Sequence, residues 1–419
     1  MHRRVFVRSG ALALATFGLS PSFLRRTALA TALPRAGKGK VMVCLFQRGA
    51  ADALNVVVPH GEPAYYRLRP DIGIARPSRA EAASALDLDG FFGLHPALGA
   101  LQRLYAEGVL APIHAVGSPS ATRSHFDAQD YMESGTPDRK STRDGWLNRY
   151  LAVAGTCEAC SPTPFRAVSM TAQTPRILDG GAPVVAMSSL GDFTVRAAGS
   201  SAERLEALYR TGSADLVHAS GQEMFEAVKM LRSANPARYL PQHGAEYPRT
   251  PFGQRLREIA QLIKAGVGLE VAFADVGGWD THVNQGGGTG QLANRLRDFG
   301  DSIGAFVTDL GDRMDDVVIL TMSEFGRMAR QNGTGGTDHG HAGAMFVIGA
   351  RAIGGKVHGR WPGLEQEQLY EGRDLALTTD FRSVFCEVLE RHFGATDLTR
   401  VFPGFDARRL DYPGILRPA

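Results

Sequence analysis

Three segments decide the fold of this chain: A-F-A-D-V-G-G-W-D-T-H-V-N-Q (272–285), V-V-I-L-T-M-S-E-F-G-R (317–327) and G-G-T-D-H-G-H (335–341). The first two begin as apolar runs of the kind that form buried strands, and both end in acidic, histidine and glycine residues. In open α/β sheets, ligands bind at the carboxyl ends of the strands. We therefore expect the functional groups of this protein at that edge of a sheet.

The same segments are rich in side chains that bind divalent metals. They offer carboxylates and imidazoles without a cysteine among them, which suits a borderline ion such as zinc, with calcium, magnesium or manganese as alternatives. The sequence therefore predicts a metal site. Its candidate ligands are Asp280, His282, Glu324, Asp338, His339 and His341.

The N-terminal residues have the pattern of an export signal. M-H-R-R-V-F-V-R (1–8) precedes an apolar run (9–23) and the small-residue stretch A-L-A (28–30). The paired arginines indicate a twin-arginine signal over residues 1–30, which would engage the twin-arginine translocase and yield a periplasmic or secreted protein. A membrane anchor is the alternative, but the run contains glycine and proline and is shorter than the roughly 20 residues of a span.

The charge of the chain gives no sign of a nucleic-acid partner. Residues 1–30 hold five arginines and no acid, which leaves 41 of the 46 basic residues against 43 acidic ones, a net charge of −2. No long basic run suggests binding to nucleic acid. Because no second long apolar segment follows the signal, we expect no membrane span in residues 31–419.

The four cysteines fall into two groups. Cys157 and Cys160 form C-E-A-C before a proline-rich stretch, and the alternatives there are a redox pair, a small structural disulfide or two idle thiols. The strand-then-helix context of a redox motif is missing, which favours the last two. Cys44 and Cys386 lie in apolar runs, so we expect them to be buried.

Apolar runs alternate with helical patterns along the chain. Strands are predicted at 40–46, 109–116, 184–187, 269–274, 317–321 and 344–348, and helices at 98–108, 146–154, 252–264, 292–314 and 380–393. This order predicts an α/β fold with a doubly wound, mostly parallel sheet and helices on both faces. Residues 191–247 contain polar amphipathic helices bounded by prolines. We interpret them as a helical insertion in a domain of residues 31–419, with an ordinary pair of crossover helices as the alternative.

Three further polar residues follow predicted strands. Asp52 is either a metal ligand or the N-cap of the next helix, and the distal histidine cluster favours the ligand. Ser124 stands near the start of a helix, where free backbone N–H groups favour an anion. It is either a nucleophile or an N-cap, and Asp127, three residues on, favours the cap. Arg123 is either a group that binds an oxyanion or a surface arginine.

Several motifs together resemble one bacterial family. They are F-Q-R-G-A-A-D-A-L-N (46–55), S-H-F-D-A-Q (124–129), G-G-W-D-T-H (277–282), T-M-S-E-F-G-R (321–327) and G-G-T-D-H-G (335–340), behind the twin-arginine leader. Over nearly all of its mature part, the chain resembles the secreted domain of unknown function number 1501, which is grouped with the alkaline-phosphatase-like superfamily. The resemblance implies one or two divalent metals at strand ends. It also implies a Ser, Thr or modified Cys at a helix start that attacks phosphorus or sulfur.

By motif position, the resemblance implies that Ser124 is the nucleophile. Phe325 stands where the superfamily has His or Asn, which counts against a complete two-metal site. G-S-P-S-A-T-R (117–123) lacks the spacing of the formylglycine motif of sulfatases, which favours a phosphate-type ester. The metal ligands that the resemblance implies are Asp52, Asp280, His282, Glu324 and His339, with His341 as a close substitute for His339.

The favoured function is therefore a periplasmic metal-dependent hydrolase. It would act on a phosphate-type ester, with a sulfate ester second, of a small molecule or a polymer, and its nucleophile would be Ser124 or a metal-bound water. The alternative, motivated by Phe325, is an exported binding protein that is stabilised by metal and has no catalytic activity.

Overall fold

The computed structural model describes residues 39–154, 163–192, 239–406 and 412–418. The strands in these residues are β1 Val41–Arg48, β2 Val57–Val58, β3 Leu86–Asp87, β4 Gly93–Leu94, β5 Leu110–Gly117, β6 Ala167–Ser169, β7 Val185–Ala186, β8 Val271–Gly277, β9 Val317–Met322, β10 Gly343–Ile348 and β11 Thr379–Asp380. The α-helices are α1 Ala53–Val56, α2 Pro63–Leu68, α3 Gly99–Ala106, α4 His125–Ser134, α5 Trp146–Val153, α6 Pro251–Lys264, α7 Gln291–Leu310, α8 Phe381–Phe393 and α9 Leu398–Val401. The main sheet has the order β11-β5-β10-β9-β1-β8-β6-β7, and β2, β4 and β3 form a small second sheet.

The main sheet is mostly parallel, as the sequence predicts. β1 pairs in parallel with both β8 and β9, so that Met42 lies opposite Val271 and Val318. β6, β7 and β11 also join their neighbours in parallel, whereas β10 is antiparallel to β5 and β9. The predicted α/β fold class is therefore confirmed.

Side chains of β1 alternate between two apolar cores. Val43 and Leu45 pack in one core with residues of α3, α6 and α7, whereas Cys44 and Phe46 pack in the other with residues of α5 and α8. Full burial of a side chain such as Phe46 contributes about 1.5–3 kcal/mol to folding. The continuous apolar run of β1 thus reflects burial on both faces. Cys44 and Cys386 are both buried and free, which confirms the expectation for them.

The direction of β10 decides which segments meet. The carboxyl ends of β1, β8 and β9 lie at one edge of the sheet because these strands are parallel. Gly343, at the start of β10, lies opposite Val116, near the end of β5. The segment before the antiparallel β10 therefore reaches the same edge as the segments that follow β1, β5, β8 and β9.

Residues 239–247 are attached to α7 by a buried acid. Asp309 accepts hydrogen bonds from the hydroxyl groups of Tyr239 and Tyr247 and forms an ion pair with Lys264 at 2.5 Å. Burial alone would raise the pKa of Asp309, but these hydrogen bonds hold it below its usual value. This part of the predicted insertion is therefore anchored to the main domain.

Other predictions fall outside the described residues. The rest of the predicted insertion (193–238), the predicted signal (1–30) and both Cys157 and Cys160 lie there, so what was expected of them stays a prediction. Within the part of the chain that the structure describes, no helix is both long enough and apolar enough to cross a membrane.

Candidate metal centre

Four side chains converge at the carboxyl edge of the sheet. His125 begins α4, and His339 precedes β10. Asp280 and His282 follow β8. Nε2 of His339 lies 3.0 Å from Nε2 of His125 and 2.9 Å from Nε2 of His282. Oδ1 of Asp280 lies 3.0 Å from Nε2 of His282 and 3.3 Å from Nε2 of His339.

Carboxylates fix the orientation of two of the imidazoles. Nδ1 of His125 lies 2.8 Å from Oε1 of Glu324, and Nδ1 of His282 lies 3.0 Å from Oδ1 of Asp338. An ionised carboxylate only accepts hydrogen bonds, so Nδ1 carries the hydrogen in both rings. In the neutral ring, Nε2 then presents a lone pair to the centre.

A backbone carbonyl does the same for the third imidazole. Nδ1 of His339 donates to the carbonyl oxygen of Arg123 at 2.8 Å. Nε2 of His339 lies about 3 Å from Nε2 of His125 and from Nε2 of His282, and lone pairs this close repel one another unless a proton or a metal ion lies between them. Histidines that bind metals typically donate their other N–H to a carboxylate or a carbonyl, which is the arrangement found here.

The donor set fits a zinc-type ion. Three imidazole nitrogens and a carboxylate supply four ligands, and two nitrogens bound tetrahedrally to zinc at about 2.0–2.1 Å stand about 3.3 Å apart. The separations of 3.0 and 2.9 Å are close to that value. His125, Asp280 and His339 offer ligand atoms that all lie within 4.8 Å of one another, and His282 adjoins two of these three residues.

A buried arginine supports the carboxylate of the centre. Nη2 of Arg327 donates to Oδ1 of Asp280 at 2.5 Å. Its guanidinium also donates to the carbonyl oxygens of Gly49 and Ala50, after β1, and of Thr337, before β10. Burial alone would raise the pKa of Asp280, but the hydrogen bond and charge of Arg327 hold it below its usual value. Arg327 thus fixes three segments and keeps Asp280 ionised.

The charge states of the surrounding groups differ. The hydrogen bond with Glu324 raises the pKa of His125. Burial alone would raise the pKa of Glu324, but hydrogen bonds from His125 and Gln129 hold it below its usual value. Burial lowers the pKa of His339, which favours its neutral, metal-binding form.

Two glycines allow the segments to approach one another. A Cβ on Gly340 would lie 2.3 Å from the carbonyl carbon of Arg327, and one on Gly49 would lie 2.7 Å from the backbone nitrogen of Asp280. Gly49 also has φ +119, a conformation that side chains other than glycine rarely adopt. Substitution of either glycine would therefore displace the backbone of the centre.

Two of the predicted ligands have other partners. The buried carboxylate of Glu324 accepts hydrogen bonds from His125 and from the backbone nitrogen of Gly49. Glu324 therefore orients the ligand His125, whereas the sequence predicted that Glu324 itself binds the metal. Asp52 is fully buried and forms an ion pair with Arg69 at 2.5 Å. Asp52 occupies the N-cap position of α1, as one alternative predicted, but its side chain makes no capping hydrogen bond.

His341 also lies apart from the converging atoms. Its ring stacks on that of Tyr370, with centroids 4.2 Å apart and an angle of 21° between the planes. Burial lowers its pKa. Of the seven predicted ligands, the structure therefore brings Asp280, His282 and His339 together. It places Asp338 against Nδ1 of His282, and Asp52, Glu324 and His341 elsewhere.

Ser124 and Arg123 border the centre. Ser124 is exposed and occupies the N-cap position of α4, as the cap alternative predicted, although its side chain makes no capping hydrogen bond. Asp127, which was expected to assist the cap, instead pairs with Lys140 at 2.6 Å. The guanidinium of Arg123 is held by Asp374 at 2.6 Å, so no free cation faces the centre from this residue.

Sequence reasoning missed the contributions of His125 and Arg327, whereas it had singled out Phe325. His125 stood in the quoted S-H-F-D-A-Q motif, directly after a predicted strand, and that position was the available signal. The Phe325 ring stacks on His125 with centroids 5.0 Å apart and lies 5.2 Å from that of His339. Phe325 thus covers one side of the centre with carbon.

Comparisons with known proteins give one family match and distant similarities to solved structures. A family model described as "Protein of unknown function (DUF1501)" matches residues 39–403. Among solved structures, a protein in the alkaline phosphatase superfamily from Vibrio parahaemolyticus is 10% identical, with a TM-score of 0.34 and coverage of 80% of this chain and 71% of that one. The lipoteichoic acid synthase LtaP from Listeria monocytogenes is 8% identical, with a TM-score of 0.31 and coverage of 77% and 70%. Similarity this low carries no inference about chemistry, and no curated protein matches the chain.

Proposed function

The chain belongs to the DUF1501 family of proteins of unknown function, and from that premise we propose that it is an exported, metal-dependent hydrolase of phosphate-type esters. The observation that carries the proposal is the convergence of three oriented imidazoles with Asp280. The side chain of Asp280 is 43% exposed, so solvent and ligands reach the centre. Structural zinc sites are closed, whereas catalytic sites are accessible.

We propose different roles for the residues of the centre. His125, His282, His339 and Asp280 would hold the ion, and three imidazole ligands favour zinc over calcium or magnesium. A bound divalent ion would polarise the ester oxygen and make the nucleophile more acidic. Ser124, which is exposed and precedes His125 directly, is the proposed nucleophile, with water as the alternative.

The sequence suggested that Arg123 is a free cation that binds an oxyanion, and the role that we propose for it is different. Its carbonyl oxygen orients His339, and its guanidinium is bound by Glu371 at 2.6 Å as well as by Asp374. Glu371 is exposed, so an anionic substrate could compete with it for one side of the guanidinium. Asp374 would keep Arg123 beside the centre during that exchange.

Packing of Phe325 favours a second candidate, a metal-binding protein without catalysis. The deciding experiment loads the mature protein with zinc, manganese or calcium and measures hydrolysis of p-nitrophenyl phosphate, bis(p-nitrophenyl) phosphate and p-nitrophenyl sulfate. We expect zinc-dependent turnover of a phosphate ester that His339→Ala abolishes, with the exposed serine variant Ser78→Ala as a control. Tight zinc binding without turnover of any ester would support the second candidate.

Export by the twin-arginine pathway is a separate proposal. The support for it is the M-H-R-R-V-F-V-R sequence and the apolar run that follows. With Lys in place of Arg3 and Arg4, the precursor should remain in the cytoplasm. Unchanged appearance in the periplasm would contradict this route.

A further inference from the structure

Exposed apolar side chains are concentrated beside the metal centre. Within the described residues, the large hydrophobic side chains that are strongly exposed are Phe126 at 91%, Leu240 at 79% and Val283 at 53%. Phe126 directly follows His125, and Val283 directly follows His282. Because the rings of both histidines meet that of His339 at about 3 Å, residues 126 and 283 are the chain neighbours of two groups of the centre.

Folding does not require this exposure. The side of α4 that packs into the protein is formed by Ala128, Tyr131 and Met132, and Phe126 projects away from it. Single exposed hydrophobic residues are common, but exposed apolar groups next to a polar site are candidates for contact with a ligand. Phe126 and Val283 therefore provide an apolar contact surface beside the charged centre.

We propose that Phe126 and Val283 form an apolar rim that binds the non-polar part of the substrate. The preferred substrates are then small esters that carry an aromatic or branched alkyl group, in preference to esters of glycerol or sugars. This inference rests on the proposed hydrolase function. The ion and its ligands bind the anionic group, while the rim selects among esters by the apolar surface that they bury.

Two phosphonates, which cannot be hydrolysed, distinguish binding by the apolar rim from binding by the metal. Phenylphosphonate and methylphosphonate offer the same anion to the zinc-loaded protein and differ in their apolar group. By calorimetry, we expect phenylphosphonate to bind about tenfold more tightly, the effect of burying part of one ring. The double variant Phe126→Ser/Val283→Ser should reduce this ratio to near one and leave the binding of methylphosphonate unchanged. Leu240→Ser, the matched control, should preserve the ratio.

Each other outcome has a definite meaning. Equal binding of the two phosphonates by the wild type, or a preference that the double variant retains, overturns the apolar rim and leaves the hydrolase proposal intact. Failure of both phosphonates to bind while zinc is bound rejects anion binding at the centre, and with it both proposals. A dimer that the double variant dissociates would show that a second copy of the chain covers these residues, which also overturns the rim. Melting curves of both serine variants verify that the fold is retained.

Discussion

Asp52 and Asp280 follow neighbouring parallel strands, β1 and β8, at one edge of the sheet. Each accepts a hydrogen bond at 2.5 Å from a fully buried arginine, Arg69 for the first and Arg327 for the second. Asp52 is fully buried, whereas Asp280 is half-exposed and faces three imidazoles. A carboxylate at a strand end is thus a structural ion pair in one place and a candidate metal ligand in the other. Accessibility and the neighbouring histidines distinguish the two.

The largest effect should come from breaking the buried pair. Asp52→Ala leaves the charge of Arg69 buried without a counter-charge, which should cost about 3–5 kcal/mol of the free energy of unfolding. The folded fraction should still bind zinc. Asp280→Ala should lose zinc strongly. Because the side chain of Asp280 is 43% exposed, water can replace its carboxylate beside Arg327, and the destabilisation should be smaller. Urea unfolding and metal analysis of both variants check this, and loss of zinc in Asp52→Ala at unchanged stability would reverse the two roles.

A second, smaller effect concerns the residue that orients His125. Glu324→Gln removes the negative charge that holds the imidazole, and loss of such a partner typically reduces metal affinity about 10–100-fold. Glu107→Gln is the control, since Glu107 is exposed, follows α3 and forms an ion pair with Arg103 of that helix. Zinc titration by calorimetry gives both affinities. A larger loss, to the level of a histidine variant, would indicate that Glu324 is a direct ligand.

Acid should release the ion because protons compete for the imidazoles. The pKa of His125 is raised by Glu324, so zinc must displace a proton from a ring that stays protonated to a higher pH than an ordinary histidine. Below that pKa, affinity should fall about tenfold per pH unit for each proton displaced. Asp280 and Glu324 have lowered pKa values and stay ionised in this range. Zinc affinity measured from pH 8 to 5 tests the trend, and its onset should move to lower pH in Glu324→Gln.

Stability of the metal-free protein should show the opposite dependence on this pair. A group whose pKa is raised by folding stabilises the fold fully below its unfolded pKa, about 6.5 for histidine. The contribution of His125 is then lost as the pH rises through its folded pKa. Without zinc, this contribution should therefore decrease over the range in which zinc affinity increases.

Much of the fold could be predicted because the central strands are apolar on both faces. β1 and β9 alternate between two cores, and this produces continuous apolar runs that a sequence displays directly. The antiparallel direction of β10 could not be predicted, since an apolar run such as 344–348 has the same composition in either direction. That direction, however, is what carries His339 to the centre.

The site was less predictable because contact depends on the folded arrangement of distant segments. Asp280, His282 and His339 lie in evident clusters, but His125 is the only histidine in its motif. Glu324 and Asp338 carry the same carboxylate group as Asp280. They differ because each contacts Nδ1 of a histidine, whereas Asp280 contacts Nε2. The role of Arg327 depends on three segments that close around its guanidinium, and no local pattern indicates that.

The smallest effect on stability is expected at Ser124. Because its side chain makes no capping hydrogen bond, Ser124→Ala should change the free energy of unfolding by less than about 0.5 kcal/mol. If Ser124 is the nucleophile, the same variant should bind zinc normally and lose ester hydrolysis. Thermal unfolding and the p-nitrophenyl phosphate assay measure both effects. Wild-type turnover would transfer the nucleophilic role to water.

The zinc content of single histidine variants tests the central claim, that one ion is held by His125, His282, His339 and Asp280. The protein is equilibrated with zinc, freed of excess metal and measured for bound zinc per chain. The wild type should retain one zinc, and so should the control His60→Ala, whose ring pairs with Asp87 outside the centre. His125→Ala, His282→Ala and His339→Ala should each lose most of it. A full zinc in these three variants, or two zinc ions in the wild type, would contradict the account.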